Sequence, residues 1–330
     1  MKILTTLLLS LLLSTTPIYA AETITGAGST FIYPVLSKWA DSYKTETGNS
    51  LNYQSIGSGG GIKQIEASTV TFGATDKPLS HDELIKNNLI QFPAVMGGIV
   101  FVVNIPGVSP GKLILDGVTA ANIFDGTITN WNDPEIASLN PNIKLPDLPI
   151  VVAHRADGSG TTFNLSYFLD EVSIPWHTNI GADTSLDWPV GVGAKGNEGV
   201  AGVVKTTIGA IGYVEYAYAQ QNSLTYTALV NANGKTVEPS LDTFTSASEN
   251  ADWKDATDFN VILANQKGDT SWPITATTWI LIHKPFTSNE TVALTFFDWV
   301  YTKGKADATA LNYVNLPDTL VQEIETSWEK

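Results

Sequence analysis

The segment IVVAHRADGSGTT, residues 150–162, passes from an apolar strand through a glycine-rich turn into the start of a helix. Arg155 lies in that turn and is the one arginine among 18 basic residues. A guanidinium offers a fixed fork of donors, and N–H groups at a helix start add positive partial charge beside it. The alternative is that Arg155 has no role in binding and is present by chance in a chain whose other basic residues are all lysines. The segment predicts an oxyanion site at a strand end.

Strand-like runs alternate with helix-like runs along most of the chain, the pattern of an α/β fold with a largely parallel sheet. Pro34 suits the first turn of a helix that ends near Thr47. Ser80 and Glu83 have the spacing of a capping box. Other strands are expected at residues 22–25, 52–56, 70–74, 211–214 and 277–282, and other helices at 62–67, 199–207 and 291–302.

The apolar segment at residues 95–103 is long enough to leave one domain and enter another. About 310 residues follow residue 20, which is enough for one large or two ordinary α/β domains. Residues 272–274, Trp-Pro-Ile, are typical of a connector on the return path. We therefore expect residues 21–95 and 272–330 to form one lobe and residues 96–271 to form the other.

The first 20 residues have the pattern of a secretory signal peptide. Lys2 gives a positive start, residues 3–13 are apolar, and Pro17 precedes a cleavage position that we place near Ala20. The apolar stretch is shorter than the roughly 20 residues that a membrane-spanning helix needs. The chain has no cysteine, which excludes disulfides and a lipid-modified cysteine. These features predict a soluble protein of the periplasm.

Acidic residues outnumber basic ones by 33 to 17 once Lys2 is removed with the signal peptide. A chain this negative is a poor partner for nucleic acid or anionic lipid. A bound anion would have to be held by local donors against a repulsive overall field. The 4 histidines lack metal-ligand spacing, so we expect no metal and no cofactor.

Three segments share one arrangement, in which a strand ends, glycine and a hydroxyl residue follow, and a helix begins. They are GSTF at residues 28–31, GSGG at 57–60 and GSGT at 158–161. Each can present backbone N–H groups and a hydroxyl donor to an oxyanion. Singly, each is better explained as a plain helix cap. Three in one chain, with one beside the only arginine, indicate a shared site.

Asp76 follows the third predicted strand, where its carboxylate would be expected to repel a bound anion. A carboxylate accepts a hydrogen bond from a P–OH group but repels a fully ionised oxyanion such as sulfate. Like charges placed together cost several kcal/mol, which corresponds to roughly thousandfold discrimination. The alternative is a solvated aspartate in a turn. The first interpretation predicts a site for a protonated oxyanion.

Several motifs closely resemble those of the periplasmic phosphate-binding proteins of Pst-type ABC transporters. They follow the same order and span essentially the whole chain after the signal peptide: TGAGSTF (25–31), IGSGGGIKQ (56–64), FGATD (72–76), RADGSGT (155–161), GAIGYVEYA (209–217) and NQKG (265–268). The resemblance implies a periplasmic-binding-protein fold of the venus-flytrap type II, with phosphate held dehydrated in a cleft between two lobes. It also implies a monomeric receptor, not an enzyme, that delivers phosphate to a membrane permease powered by a separate ATPase.

The resemblance further implies which residues bind phosphate. By position these are Thr30, Phe31 through its backbone N–H, Ser58, Asp76, Arg155, Ser159, Gly160 and Thr161. Asp157 matches the aspartate that pairs with the arginine and holds its fork in place. Gly59 is a departure, because relatives often carry a second serine there. It affects little beyond the stiffness of the loop.

Other functions remain open at this point. Residues 191–196 match a dinucleotide-binding fingerprint with Glu215 near the expected acidic spacing, although residues 186–190 make a poor preceding strand and a flexible loop is expected instead. The same fold could bind sulfate, molybdate or an organic phosphate. Some of the 9 tryptophans could stack on a sugar. A secreted role in adhesion or phosphate scavenging is a further alternative.

Overall fold

The computed structural model describes residues 22–254 and 256–329. The predicted signal peptide and its cleavage position lie outside these residues. None of the helices in the described part of the chain is long and apolar enough to cross a membrane.

Twelve strands are described. They are β1 (Thr23–Gly28), β2 (Ser50–Ser55), β3 (Phe72–Thr75), β4 (Leu89–Val103), β5 (Ile114–Leu115), β6 (Val151–Arg155), β7 (Val192–Ala194), β8 (Ala210–Glu215), β9 (Thr225–Tyr226), β10 (Ala228–Val230), β11 (Thr236–Val237) and β12 (Thr275–His283).

Thirteen α-helices accompany them, with one 3-10 turn at Thr257–Phe259. They are α1 (Tyr33–Thr47), α2 (Ser58–Glu66), α3 (His81–Asn87), α4 (Gly117–Phe124), α5 (Pro134–Leu139), α6 (Gly160–Val172), α7 (Ile174–Asn179), α8 (Gly196–Thr206), α9 (Tyr216–Gln221), α10 (Leu241–Glu249), α11 (Ser288–Thr302), α12 (Lys305–Ala310) and α13 (Asp318–Trp328).

Local sequence signals explain where several helices begin. Pro34 lies in the first turn of α1, and Ser80 with Glu83 forms the capping box of α3, as predicted. α2 begins at Ser58, earlier than expected, because the glycines at 59–61 continue its first turn instead of forming a loop. The hydroxyl-glycine turns therefore lead directly into helices.

The main sheet has nine strands in the order β2-β1-β3-β12-β4-β8-β6-β7, with β9 paired to β4. β1 is parallel to β2 and β3, and β6 is parallel to β7 and β8. β12 is antiparallel to β3 and β4, and β4 is antiparallel to β8. The expectation of a largely parallel sheet was wrong at its centre, because β12 returns from late in the chain and inserts between β3 and β4.

Strand β4 is shared by two parts of the sheet. Its residues 89–98 pair with β12, and its residues 99–103 pair with β8. The long apolar segment is thus one nearly fully buried strand that changes partner between Gly98 and Ile99. The predicted lobe boundary at residues 95 and 96 lies three residues before this change, and the division into lobes remains a prediction.

The strand directions decide where the turns meet. β1 and β3 run in the same direction as β4, whereas β6 and β8 run against it. The carboxyl ends of these two strand groups therefore face each other across the middle of β4. Open α/β sheets bind ligands at the carboxyl ends of their strands.

Candidate functional site

The turns after β1, β2 and β3 are hydrogen bonded directly to one another. The N–H of Ser29 donates to Ala74 O at 2.8 Å, and the N–H groups of Ile56 and Gly57 donate to Gly28 O at 3.0 and 2.9 Å. Gly28 has a φ of 138°, and a Cβ there would lie 2.1 Å from Ala74 O. Glycine is therefore required for this close approach.

Asp76 lies at the centre of these turns and is 1% exposed. Its carboxylate accepts from Ser29 Oγ at 2.6 and 2.7 Å, from Thr278 Oγ1 at 2.6 Å and from Ser58 Oγ at 3.4 Å. Burial raises the pKa of Asp76 to about 6, against the opposing effect of these hydroxyl groups and of the Arg155 charge. The carboxyl can thus take or share a proton near neutral pH.

Arg155 is held by a two-point ion pair with Asp157. Nε donates to Asp157 Oδ1 at 2.7 Å and Nη2 donates to Oδ2 at 2.5 Å. Asp157 Oδ1 also accepts the N–H of Gly196 at 3.1 Å. Burial alone would raise the pKa of Asp157, but the hydrogen bonds and charge of Arg155 hold it below its usual value. Nη1 points away from the pair to Thr161 Oγ1 at 3.4 Å.

The N-terminus of α6 reaches the turns of the facing strands. Ser159 caps the helix, since its Oγ accepts the N–H of Thr162 at 3.0 Å. The N–H groups of Gly160 and Asp76 both donate to Ser58 Oγ, at 3.1 and 3.2 Å. A Cβ on Gly160 would lie 2.5 Å from Asp76 Cβ. A helix start, with its positive partial charge, thus lies directly against the buried carboxylate.

Thr30 and Phe31 enter from the turn after β1. The Phe31 N–H donates to Ser29 Oγ at 3.0 Å. Thr30 Oγ1 accepts from Asn197, from its backbone N–H at 3.2 Å and its Nδ2 at 2.7 Å. Asn197 Nδ2 also donates to Thr161 Oγ1 at 3.2 Å. This asparagine therefore joins hydroxyl groups that come from opposite sides of the site.

The structure brings every predicted site residue together. Each is buried, and each belongs to one hydrogen-bonded network or adjoins it along the chain: Thr30, Phe31, Ser58, Asp76, Arg155, Ser159, Gly160 and Thr161.

Several residues of the network were not among the predicted site residues, Ser29, Asn164, Asn197 and Thr278 among them. Ser29 lies inside a quoted motif, and Asn197 follows Gly196 at a further strand-to-helix turn, so a local signal existed for both. Asn164, which donates to Asp76 O at 2.7 Å, is an ordinary helix residue in the sequence. Thr278 lies in a central strand and reaches Asp76 from 202 positions away. Only the folded structure reveals the last two.

The charges of the site leave little attraction for an anion at a distance. Arg155 is matched by Asp157, so an ionised Asp76 gives the site a net negative charge. Binding must come from N–H and O–H donors at short range, together with the helix start. Such a site suits a small oxyanion that can donate one hydrogen bond to Asp76.

The dinucleotide fingerprint lies in a different setting. Residues 192–194 form β7, paired with β6, and not the flexible loop that was expected. Glu215 is fully buried, and its two oxygens accept the N–H of Ala217 at 2.9 Å, so its carboxylate caps α9. It is not free to bind a ribose. Within residues 22–254 and 256–329, no cluster of His, Cys, Asp and Glu could hold a metal ion.

Comparisons with known proteins agree with this geometry. A family model described as a PBP superfamily domain matches residues 15–303. The chain is 51% identical over 321 residues to the phosphate-binding protein PstS of Xylella fastidiosa, covering 96% of this chain and 88% of that protein. It is 49% identical over 326 residues to PstS of Pasteurella multocida, covering 98% and 95%.

A solved structure shares the fold. It is described as a high affinity periplasmic phosphate-binding protein, PfluDING, bound with phosphate at pH 8.5. The TM-score is 0.75 at 21% identity, covering 92% of this chain and 93% of that one. The predicted fold class, α/β of the periplasmic-binding-protein type, is confirmed.

Proposed function

Because the chain belongs to the PBP superfamily, and within it to the phosphate-binding proteins PstS, we propose that it binds inorganic phosphate in the periplasm with high affinity. It then delivers the phosphate to the permease of an ABC importer, which a separate ATPase drives. After cleavage near Ala20 it acts as a soluble, monomeric receptor. The function is transport, without catalysis and without a cofactor.

One observation carries the choice of ligand. Asp76 is buried, has a pKa of about 6 and lies against the N-terminus of α6. A phosphate oxygen that bears a proton can donate to this carboxylate, whereas every oxygen of sulfate is an acceptor. An unprotonated oxyanion oxygen that faces this carboxylate has no hydrogen bond to it, and the like charges also repel each other. This arrangement favours phosphate over sulfate, molybdate and other fully ionised oxyanions.

The remaining donors surround the other oxygens in this proposal. Arg155 contributes Nη1, and the strand-to-helix turns contribute backbone N–H groups and hydroxyls. The proposed ligands are Thr30, Phe31, Ser58, Asp76, Arg155, Ser159, Gly160 and Thr161. Asp157 keeps the guanidinium in one orientation. The N–H groups of Phe31 and Gly160, which donate to serine hydroxyls, turn to phosphate when it binds.

The proposed mechanism is closure of two lobes on the ligand. Residues 21–95 with 272–330 form one lobe, residues 96–271 form the other, and β4 passes between them at its change of partner. Hydrogen bonds from Gly160 and Asn164 to Ser58 and Asp76 support closure, because they join the two parts across the site. A closed surface that forms only around phosphate lets the permease recognise the loaded receptor.

Titration calorimetry of the phosphate-stripped mature protein tests this proposal. We expect tight one-to-one binding of phosphate that excess sulfate leaves unchanged. Ser58→Ala should weaken binding by roughly tenfold or more, because a hydrogen bond to a charged group is lost. Ser80→Ala is the matched control, since it removes a helix cap outside the site. Weak binding, or displacement by sulfate, would assign the site to another oxyanion.

A further inference from the structure

We propose that Asn197 is a positioning residue that fixes the hydroxyl protons of Thr30 and Thr161 toward the bound anion. This inference rests on the proposed function, because it concerns the orientation of two donors of the same site. Asn197 is fully buried and touches a hydroxyl from each side of the site. Its role would be to make both hydroxyls pure donors.

The hydrogen bonds that the Thr30 hydroxyl accepts determine where its own proton can be donated. A hydroxyl oxygen has one proton and two acceptor positions. Thr30 Oγ1 accepts the Asn197 backbone N–H at 3.2 Å and its Nδ2 at 2.7 Å, which fills both positions. Neither partner can accept a proton in return. The O–H of Thr30 is therefore available to donate to an anion and is not turned toward Asn197.

The Thr161 hydroxyl also accepts two hydrogen bonds, but one of them comes from Arg155 instead of Asn197. Its Oγ1 accepts Asn197 Nδ2 at 3.2 Å and Arg155 Nη1 at 3.4 Å. A guanidinium has no acceptor, so this second bond also has a fixed direction. The O–H of Thr161 is again left as a donor. The two N–H groups of one amide thus orient two hydroxyls from segments far apart in the chain.

The orientation of the amide itself is fixed. Asn197 Oδ1 accepts the backbone N–H of Glu215 at 2.8 Å, and a backbone N–H can only donate. The nitrogen must therefore be the atom that faces the threonines. Asn197 also lies in the first turn of α8, next to Gly196, whose N–H donates to Asp157. A strand end and a helix start together hold the side chain in place.

A double-mutant cycle tests the proposal. Phosphate affinity is measured by titration calorimetry for the wild type, Asn197→Ala, the pair Thr30→Val with Thr161→Val, and the triple variant. We expect Asn197→Ala to weaken binding about 10- to 100-fold in the wild type. In the valine background the same change should cost less than about threefold, because no hydroxyl remains to be oriented. An equal loss in both backgrounds would indicate a purely structural role and overturn the proposal.

Asn231→Ala is the matched control. Asn231 is 6% exposed and donates through Nδ2 to Gly268 O at 3.0 Å, outside the site. Its loss should lower the melting temperature and leave phosphate affinity unchanged. A comparable loss of affinity in this control would overturn the proposal, because any buried asparagine would then have the same effect.

Asn197→Asp provides a second test if the alanine variant does not fold. It has almost the same shape, but an oxygen replaces Nδ2 and would accept the threonine protons, turning both hydroxyls away from the anion. We expect a larger loss of affinity than for alanine, on the order of 100-fold or more. Wild-type affinity in this variant would overturn the positioning role alone. Absence of phosphate binding by the wild type would overturn the proposed function and this inference together.

Discussion

Lys77 Nζ lies 2.9 Å from Asp183 Oδ1 and 5.3 Å from the centroid of the Phe163 ring. Lys77 directly follows Asp76, whereas Asp183 belongs to the loop between α7 and β7 and Phe163 lies on α6. The ion pair and the cation–π contact thus connect the two groups of segments that surround the site. These contacts of Lys77 with Asp183 and Phe163 lie at the rim of the site and hold its two sides together, and we refer to them as the latch.

Lys77→Met should weaken phosphate binding modestly. The pair is partly exposed, and such pairs contribute about 0.2–1 kcal/mol, so the affinity should fall by no more than about fivefold. We expect the change mainly in the dissociation rate, measured by stopped flow, and expect it to shrink at high salt. Lys305→Met, which removes the pair with Asp318 elsewhere, is the control. A salt-independent loss would refute the latch.

Asp76→Asn should raise the stability of the protein and lower its selectivity for phosphate over sulfate. The native pKa of about 6 lies above the ordinary value of 3.8, so stability from this group is complete below pH 3.8 and is lost as pH rises through 6. Removing the charge should raise the free energy of unfolding at pH 7.5 by about 3 kcal/mol. Sulfate should then compete with phosphate. Chemical denaturation and competition calorimetry measure the two effects, and a variant that still excludes sulfate would contradict the role of Asp76.

Asp157→Ala should weaken phosphate binding by loosening Arg155. Without the carboxylate, Nε and Nη2 lose their acceptor and the guanidinium can leave its position beside Thr161. We expect a loss of roughly tenfold or more, in line with a misplaced charged donor. Asp157→Asn should lie between alanine and wild type, because one oxygen remains. Calorimetry showing unchanged affinity in the alanine variant would remove this role.

Glu215→Gln should flatten the dependence of stability on pH. Burial raises the pKa of Glu215 to about 8, although the hydrogen bond from the Ala217 N–H lowers it. Stability from this carboxyl is therefore complete below pH 4.5 and is lost as pH rises through 8. The wild type should lose melting temperature between pH 7 and 9, and the variant should lose less.

Glu83→Gln is the control for that measurement. Hydrogen bonds from the Ser80 hydroxyl and N–H lower the pKa of Glu83, so this group titrates in the acid range. Its substitution should shift the melting temperature without changing the slope between pH 7 and 9. Parallel curves for the wild type and Glu215→Gln would show that Glu215 does not titrate there.

Gly160→Ala should abolish tight binding. The added Cβ would lie 2.5 Å from Asp76 Cβ and 2.7 Å from its backbone N, so the start of α6 must move away from the carboxylate. Gly202→Ala is the matched control, because Gly202 lies within α8 and its Cβ would have no neighbour within 4 Å. It should stabilise the protein by about 1 kcal/mol and keep full affinity. Tight binding by Gly160→Ala would disprove the close contact.

The parts of the site that could be predicted are those with short-range signals. Arg155, Asp157 and Gly160 lie within one strand, turn and helix, so residue types and their order indicate their chemistry. Strands and helices were predictable for the same reason. Asn197 had a comparable signal, but the glycines before it were interpreted as a fingerprint and a loop.

The rest depended on contacts between distant segments. Thr278 is an ordinary residue of an apolar strand until β12 inserts between β3 and β4 and brings its hydroxyl to Asp76. The orientation of β12 relative to its neighbours has no local signature, since both orientations bury the same side chains. The two hydrogen bonds that the Thr30 hydroxyl accepts likewise could not be predicted without the positions of both donor groups of Asn197.

Arg155 is the sole arginine of the chain, and its side chain is 1% exposed between Asp157 and Thr161. For magnetic resonance, this means that a sample labelled with nitrogen-15 at arginine alone gives one guanidinium Nε signal. That signal originates from the centre of the site and needs no assignment. The molecule therefore contains its own spectroscopic reporter of ligand occupancy, without any foreign probe.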